Sequence, residues 1–435
     1  MSNLIGVPLF ISTLKGWVHP ADLFVGLHAG DANAFWLDRE SHSTERFSVM
    51  GASSNVISAA DFDWLAEQIR PQDQIEAPFE FRPGYVGLID YEGDSRFMHI
   101  DRALVLDHDG QQIFFIGEFE SNEAFEYWHH AALLRIGVSG GEQAMYKLKH
   151  SPLRATNSSV RHGADTYLEL ISKSQQHIAA GDVYQLCLTN EISLDVVGDS
   201  LATFLSLRDS NPAPYAAFLR ISGQEIICCS PEQFLKVSAE GELSSKPIKG
   251  TRPRLLNSEA DKAIAEELRN NEKERAENLM IVDLMRNDFG RVSKVDSVKV
   301  PKLFDVESYA TVHQLVSTVT ARLEAGMTAV DALRAAFPGG SMTGAPKLRA
   351  IELISELESG KRGAYSGALG FITHGGAADF GMVIRTIVVN GDRATIGVGG
   401  GITIDSVPSE ELEETKVKAR ALLAALQAGD PWTNW

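Results

Sequence analysis

The feature that most constrains the fold of this chain is a series of strand pairs joined by turns that contain glycine. Apolar, strand-like segments flank Asp109-Gly110, Ser222-Gly223 and Glu240-Gly241. A turn dipeptide of this kind between two apolar runs is typical of a β-hairpin. Helical patterns interrupt the hairpins, without the regular strand–helix alternation of a parallel sheet. The order favours an α+β fold over a doubly wound α/β fold.

The remaining elements divide the chain into two regions. The expected strands of the N-terminal region lie at 25–27, 35–38, 45–51 and 84–91. Its expected helices lie at 61–70, with Asp61 as the N-cap, and at 121–136. The polar stretch 139–159 is the best candidate for a connection between the halves. A helix at 165–180 then ends at Gly181, and a strand follows at 182–189. We therefore predict an N-terminal region at 1–150 and a second region at 160–427.

One lysine stands in a stretch with a restricted backbone. Lys249 lies between Pro247 and Pro253, and Gly250 allows an approach that a side chain would block. A lysine held in this way can act as a nucleophile if its surroundings lower its pKa. It can equally be a solvated loop lysine, and the local sequence alone favours that interpretation.

Two helical segments carry carboxylates at helical spacing. In the expected helix from Ser258, its N-cap, to Asp288, Glu277 shares a face with apolar residues three, four and seven positions later. A carboxylate there needs a partner, either an arginine or a metal ion. In the expected helix 409–427, Glu411, Glu414 and Lys418 share a face, which is either a solvated acidic face or part of a site. If the helices meet, they can hold Mg²⁺, which prefers oxygen ligands.

Two glycine-rich segments indicate an anionic ligand. The segment 337–347 precedes a helix that begins near Lys347, and the segment 397–402 follows an expected strand. Bare amides near a helix start can bind a carboxylate or a phosphate. Neither segment is a nucleotide-binding fingerprint. Arg385, on an expected strand at 382–389, adds a positive charge for such a ligand.

The charge balance and the cysteines exclude several classes of function. The 435 residues include 40 basic and 58 acidic side chains, for a formal net charge of −18. This charge argues against nucleic acid or an anionic membrane as a partner. No apolar run approaches the ~18 residues that span a bilayer, and no secretory signal is recognisable. The three cysteines, Cys187, Cys228 and Cys229, have no metal-binding spacing and favour a reducing, cytoplasmic location.

With these motifs in view, the chain resembles the chorismate-utilising enzymes, and among them the aminodeoxychorismate synthase component I branch. The resemblance is strong over about residues 160 to 425 and weaker before them. It depends on many strings in the order that the family shows. They are Gly181 to Gln185, Ser230-Pro231-Glu232, Pro247 to Thr251, Arg275 to Met280, Asp283 to Asp288, Val312-His313, Phe337 to Lys347, Arg385-Thr386 and Gly399 to Ile402.

The resemblance implies a fold, a cofactor and a set of site residues. The fold is two facing antiparallel sheets flanked by helices, with the N-terminal region woven into the same body. Glu277 and Glu414 match positions that bind Mg²⁺, with Glu411 close by. Glu232 matches a general acid/base, and His313 a histidine near the departing hydroxyl of chorismate. The implied substrate-binding positions are Thr343, Tyr365, Arg385, Gly399, Gly400, Gly401 and Lys418.

Lys249 distinguishes branches within this resemblance, because the related anthranilate and salicylate synthases carry alanine at its position. The resemblance then implies that the Lys249 amine attacks C2 of chorismate and expels the C4 hydroxyl. Ammonia next attacks C4 and expels the lysine, which gives 4-amino-4-deoxychorismate, a precursor of p-aminobenzoate and folate. The alternatives are anthranilate synthase component I and a non-catalytic chorismate-binding regulatory subunit.

The resemblance also implies a partner. The sequence has no Gly-x-Cys-x-Gly nucleophile loop of a glutaminase. Ammonia is therefore expected from a separate glutamine amidotransferase subunit, or from free ammonia in its absence.

Overall fold

The computed structural model describes residues 7–41, 45–70, 75–137, 141–309 and 312–433. Two antiparallel β-sheets face each other, and helices cover both outer surfaces. The predicted α+β class is confirmed. No helix in these ranges is long and apolar enough to cross a bilayer.

The first sheet has twelve strands among the described residues. In spatial order they are β1 (Leu9–Lys15), β8 (Gln112–Glu118), β7 (Arg102–Asp107), β3 (Phe47–Ala52), β2 (Ala34–Asp38), β11 (Tyr215–Ile221), β12 (Gln224–Ser230), β21 (Thr386–Asn390), β22 (Arg393–Ile402), β10 (Gln185–Val197) and β18 (Gly344–Ala345), with β9 (Arg154–Val160) also paired to β10. The N-terminal strands join the later ones where Leu37 of β2 lies opposite Ala217 of β11.

The second sheet has ten strands within the described ranges. In spatial order they are β15 (Ile248–Pro253), β17 (Val312–Arg322), β14 (Glu242–Lys246), β13 (Gln233–Val237), β20 (Ala378–Met382), β19 (Ala368–Thr373), β5 (Gly84–Ile89), β6 (Ser95–Ile100) and β4 (Val56–Ser58), with β16 (Lys299–Ser308) also paired to β17. Here too an N-terminal strand, β5, pairs with a C-terminal one, β19.

The helices follow the chain order between the strands. They are α1 (Pro20–His28), α2 (Phe62–Gln68), α3 (Asn122–Gly137), α4 (Glu142–Lys149), α5 (Ala164–Ala180), α6 (Ser200–Ser210), α7 (Ser258–Asn270), α8 (Glu272–Gly290), α9 (Ala329–Ala336), α10 (Lys347–Glu358) and α11 (Pro408–Ala425). A short 3₁₀ turn covers Gly340–Met342.

Three apolar clusters hold these layers together. One lies between the two sheets and contains Phe35 of β2 and Val86 of β5. A second packs the first sheet against helices that include α5, α6 and α11, and the third packs the second sheet against α2, α8 and α9. Burial of apolar side chains on both faces of each sheet explains why many strands are continuous apolar runs.

Several predicted elements differ from the structure. Residues 25–27 form part of α1 and not a strand, because Pro20 at its first turn and the capping side chain of His19 start a helix there. The predicted connection 139–159 contains α4 and the edge strand β9, while residues 139 and 140 lie outside the described ranges. A polar edge strand carries little apolar signal, since one of its sides faces water.

The expected long helix 258–288 is two helices. Asn257, and not Ser258, caps α7, and Asn271 caps the start of α8 with its side chain on the backbone N–H of Glu274. Asparagine has an extended backbone at both caps and satisfies amides that would otherwise lack a partner. The break at Asn271 sets the direction of α8 and thereby the position of Glu277.

Three predicted turns or strands near the site also differ. Lys249 lies on strand β15, with a bulge where Gly250 has a φ of +75°. A Cβ on Gly250 would lie 2.8 Å from Glu274 and Leu268, so a close approach does require glycine here. The glycines of 397–402 belong to β22 itself, and Arg385 lies between β20 and β21 with a φ of +52°.

Candidate active site

The two carboxylate-bearing helices meet at their N-terminal turns. Lys273 of α8 donates to Glu411 of α11 across 3.1 Å, although 138 residues separate them in the chain. Glu411 is buried and accepts a second hydrogen bond, of 2.8 Å, from Ser406. This contact brings the Glu277 turn of α8 beside the Glu414 turn of α11, which the sequence alone does not show.

Lys249 lies against Glu277. The Nζ atom of Lys249 is 3.1 Å from Oε2 of Glu277, and both side chains are largely buried. Burial lowers the pKa of Lys249, but the acidic groups around it, first Glu277 and then Cys187 and Glu414, outweigh burial and leave the pKa above its ordinary value of 10.5. In the free protein Lys249 is therefore an ammonium group.

Lys418 forms the matching pair on α11. Its Nζ lies 2.7 Å from Oε1 of Glu414 and donates a 2.8 Å hydrogen bond to the carbonyl of Gly399. Burial raises the pKa of Glu414, but the ammonium groups of Lys418, Lys249 and Lys273 outweigh burial and lower this pKa below its ordinary value. Glu414 is thus ionised at neutral pH.

The glycines at the end of β22 leave space between these pairs. A Cβ on Gly400 would lie 3.4 Å from Oε2 of Glu411 and 3.7 Å from Oε1 of Glu414. A Cβ on Gly401 would lie 2.5 Å from Nε2 of Gln185, 2.9 Å from Nζ of Lys249 and 3.4 Å from Oε2 of Glu277. We call the bare backbone of this strand the glycine floor: Glu411 and Glu414 approach it at Gly400, and Lys249 and Glu277 approach it at Gly401.

Replacing Gly401 by alanine tests whether the absence of a side chain at this position is needed to place Lys249. The added methyl group displaces Lys249 and Gln185, whose flexible ends can move, so the fold is retained. We expect activity to fall about 100-fold, because a shift of about 1 Å in a reacting group has this effect. Steady-state kinetics and a thermal melt measure the two quantities. Wild-type kinetics in this variant would show that Lys249 does not act at this position.

Glu232 supplies a titratable group at neutral pH. It lies just before β13, is buried, and its Oε1 accepts a 2.7 Å hydrogen bond from the hydroxyl of Ser341. Burial raises the pKa of Glu232 to about 7, against the opposing effects of Ser341 and the Lys249 charge. A carboxyl group with this pKa can both donate and accept a proton near pH 7.

His313 lies on β17, two positions from Leu315, the strand partner of Lys249. Its Nε2 is 2.9 Å from Oδ1 of Asp261, and its Nδ1 is 2.7 Å from the hydroxyl of Ser308. Hydrogen bonding to Arg254 holds the pKa of Asp261 below its ordinary value. Both ring nitrogens of His313 are thus within hydrogen-bonding distance of protein groups, one of them Asp261 of α7. The predicted role of His313 near a leaving hydroxyl stays a prediction.

The remaining predicted substrate-binding residues surround the glycine strand. The ring of Tyr365 lies under Gly397, where a Cβ would come within 2.0 Å of it. Arg385 donates to the carbonyl of Lys418 at 3.5 Å, and burial lowers its pKa. Thr343 is buried, and its hydroxyl bonds the carbonyls of Gly339 and Gly340, so it closes its own loop.

Two residues that lie among these charged side chains, Gln185 and Lys273, were not predicted from the sequence. Gln185 is the first residue of β10, and its buried Oε1 has no hydrogen-bond partner among the described residues. The sequence signal that could have identified Gln185 is a polar side chain directly before the apolar residues of a strand. Lys273 is a cation in the first turn of a helix, where the macrodipole disfavours positive charge. This unfavourable position is the sequence signal that could have identified it.

The donor set fits a magnesium ion in its chemistry. Glu277 and Glu414 provide hard carboxylate oxygens, Glu414 is ionised, and the glycine floor leaves room beside them. Each carboxylate pairs with a lysine, and the described residues contain no group of three acidic, histidine or cysteine side chains close enough to hold a metal. Magnesium commonly uses one or two protein carboxylates and completes its shell with water and substrate, so two glutamates suffice.

Comparisons with known proteins place the chain in a family. Residues 32–424 match the family of chorismate binding enzymes. The chain is 44% identical over 401 residues to the aminodeoxychorismate synthase of Streptomyces griseus, which covers 88% of this chain and 55% of that protein. It is 38% identical to the aminodeoxychorismate synthase component 1 of Klebsiella aerogenes, over 85% of this chain and 84% of that one.

A solved structure agrees with the fold. Anthranilate synthase component I from Streptococcus pneumoniae superposes with a TM-score of 0.74 at 29% sequence identity, over 97% of this chain and 93% of that one. The implied two-sheet fold is thereby confirmed. The chain spans only about half of the Streptomyces griseus protein, so the functions of that whole protein do not transfer without an argument from this chain.

Proposed function

The chain belongs to the chorismate binding enzyme family, and from this premise we propose that it aminates chorismate at C4 to give 4-amino-4-deoxychorismate. The observation that carries the proposal is the position of Lys249 on the glycine floor of β22, beside Glu277 and within electrostatic reach of Glu232. Lys249 is a nucleophile only after its pairing with Glu277, which raises its pKa, is broken, and Glu232 is a carboxyl group that can exchange a proton near neutral pH.

In the proposed first step, the Lys249 amine forms a bond to C2 of chorismate. Both conjugated ring double bonds shift, from C1=C2 to C1=C6 and from C5=C6 to C4=C5, and the C4–O bond breaks. The hydroxyl leaves as water with a proton from Glu232. Before this attack, Lys249 loses its pairing with Glu277 and releases one proton to water, since the free protein holds it as an ammonium group.

In the second step, ammonia forms a bond to C4, both double bonds shift back and the C2–N bond to Lys249 breaks. Ammonia gives up one proton, which Glu232 can accept because it is left ionised by the first step. Glu232 is protonated again, and Lys249 leaves as a neutral amine that takes back one proton from water. The two displacements exchange hydroxyl for amine at C4 and leave the rest of the ring unchanged.

Lys418, Arg385 and the amides of the glycine strand are the groups proposed to bind the carboxylates of chorismate. Glu277 and Glu414, with Glu411 close by, would hold Mg²⁺. The ion would neutralise and orient a substrate carboxylate, which the net charge of −18 otherwise repels. This assignment depends on the chemistry of the donors described above.

We also propose that ammonia comes from a partner glutamine amidotransferase. The component 1 designation of the Klebsiella aerogenes relative supports a second component. The three cysteines of this chain are buried, and burial raises the pKa of each thiol, which is unfavourable for a glutaminase nucleophile. The reaction belongs to p-aminobenzoate and folate synthesis in this proposal, in a cytoplasmic setting.

The rival activity is ammonia addition at C2, as in an anthranilate synthase. We expect the protein, given chorismate, MgCl₂ and an ammonium salt, to form 4-amino-4-deoxychorismate, identified by chromatography and mass spectrometry. A product with the fluorescence of anthranilate would overturn the proposal in favour of the rival. Binding of chorismate without turnover would identify the protein as a regulatory subunit.

A further inference from the structure

Three lysines neutralise the three glutamates of the site, one each. Lys249 pairs with Glu277, Lys418 with Glu414, and Lys273 with Glu411. The first two lysines already have proposed roles toward the substrate. Lys273 has none, and its side chain is 47% exposed, against 13% for Lys249. Lys273 is therefore the lysine of this set that can leave its partner most easily.

Apart from Glu277, four residues later on the same helix, α8 itself offers Lys273 little that favours a positive charge. It is the second residue of α8, between Glu272 and Glu274, where positive charge opposes the helix dipole. The ammonium group therefore depends mainly on Glu411 of α11, 3.1 Å away, for a partner.

The oxygen of Glu411 that Lys273 leaves unused points into the site. Lys273 and Ser406 both bond Oε1, whereas Oε2 lies 3.4 Å from the Cβ position of Gly400, where Oε1 of Glu414 is 3.7 Å away. On the other side of the strand, the buried Oε1 of Gln185 lacks a partner within the described ranges. Oε2 of Glu411 is thus available to a cation beside Glu414, and the same oxygen of Gln185 belongs to the side chain near Glu277 at the next glycine, Gly401.

We propose that Lys273 is an internal counter-cation that competes with Mg²⁺ for the carboxylates of this site. With the metal absent, Lys273 holds α8 and α11 together and limits the repulsion among the glutamates. When the divalent ion binds, the flexible lysine moves to solvent. Lys273 thereby weakens metal binding and sets the concentration of Mg²⁺ at which the site fills. The inference depends on the proposed magnesium site.

Replacing Lys273 by methionine removes the charge and keeps the length of the side chain. We expect the dissociation constant for Mg²⁺ to fall about ten-fold, because a positive charge that pairs with a carboxylate of this partly buried site is lost. Titration calorimetry of the full chain with MgCl₂, without chorismate, measures this quantity. Lys416→Met is the matched control on α11, and its affinity is expected to equal that of the wild type.

If Lys273 has only a structural role, the titration with MgCl₂ gives a different result. Loss of a tie between α8 and α11 would leave the Mg²⁺ affinity unchanged or weaken it, and either result overturns the proposal. Absence of Mg²⁺ binding in the wild type would also overturn it. Lys273→Arg keeps the charge, and we expect its affinity to be no tighter than that of the wild type. If the affinity shifts as expected but chorismate is not aminated, the proposed function fails and the role of Lys273 stands.

Discussion

Lys249→Ala is expected to lower C4 amination of chorismate by a factor of about 10³ or more, because the proposed route has no other nucleophile at C2. Weak ammonia addition at C2 is expected to persist, since Glu277, Glu414, Lys418 and Arg385 remain in place. Chromatography of the products separates the two activities. Mass spectrometry of the wild type with chorismate and without ammonia is expected to show an adduct on the peptide that contains Lys249.

The matched control is Lys246→Ala. Lys246 lies three residues earlier, at the end of β14, and pairs with Glu307 outside the site, so its loss is expected to leave the kinetics close to wild type. A thermal melt of both variants separates catalysis from folding, because Lys249→Ala leaves Glu277 without its ammonium partner. Unchanged formation of 4-amino-4-deoxychorismate by Lys249→Ala would exclude the covalent role of the lysine.

Glu232→Gln is expected to lower kcat by a factor of about 10² to 10⁴, the usual contribution of a general acid or base. The glutamine can still accept the hydrogen bond from Ser341, so the loop around it is preserved. The pH profile of the wild type is expected to show a titration near pH 7 that is absent in the variant. An identical profile in the two proteins would assign that titration to another group.

Although Glu232→Gln lowers kcat, the same substitution is expected to raise the free energy of unfolding. The pKa of Glu232 rises from an ordinary 4.5 to about 7 in the fold. The folded state therefore binds the Glu232 proton more tightly than the unfolded state does. The stabilisation that this proton contributes is lost as pH rises from about 4.5 to about 7. Glutamine stays neutral, so the variant should gain up to about 3 kcal/mol relative to wild type between pH 4 and pH 8. Urea unfolding at both pH values measures this gain, and an equal difference at both would contradict it.

The local elements of this chain could be predicted where one physical rule dominates. Turn dipeptides fixed the hairpins β7–β8 and β11–β12, and helical spacing placed Glu411, Glu414 and Lys418 on one face of α11. The predictions failed where two rules compete. The apolar residues 25–27 suit either a strand or a helix, and a capping asparagine can interrupt an otherwise continuous helical pattern, as at Asn271.

The sequence by itself determined which residues can do the chemistry, since carboxylates, lysines and bare glycines are identified by type and spacing. Only the tertiary structure decided which of them meet. Lys249 reaches Glu277 because β15 packs against α8, and Lys273 reaches Glu411 because the N-terminal turns of α8 and α11 lie together. Helical and strand periods describe neighbours a few residues apart, whereas these contacts depend on the strand order of two large sheets. Burial in the same structure raises the pKa of Glu232, which is a property of the packed site and not of the residue type.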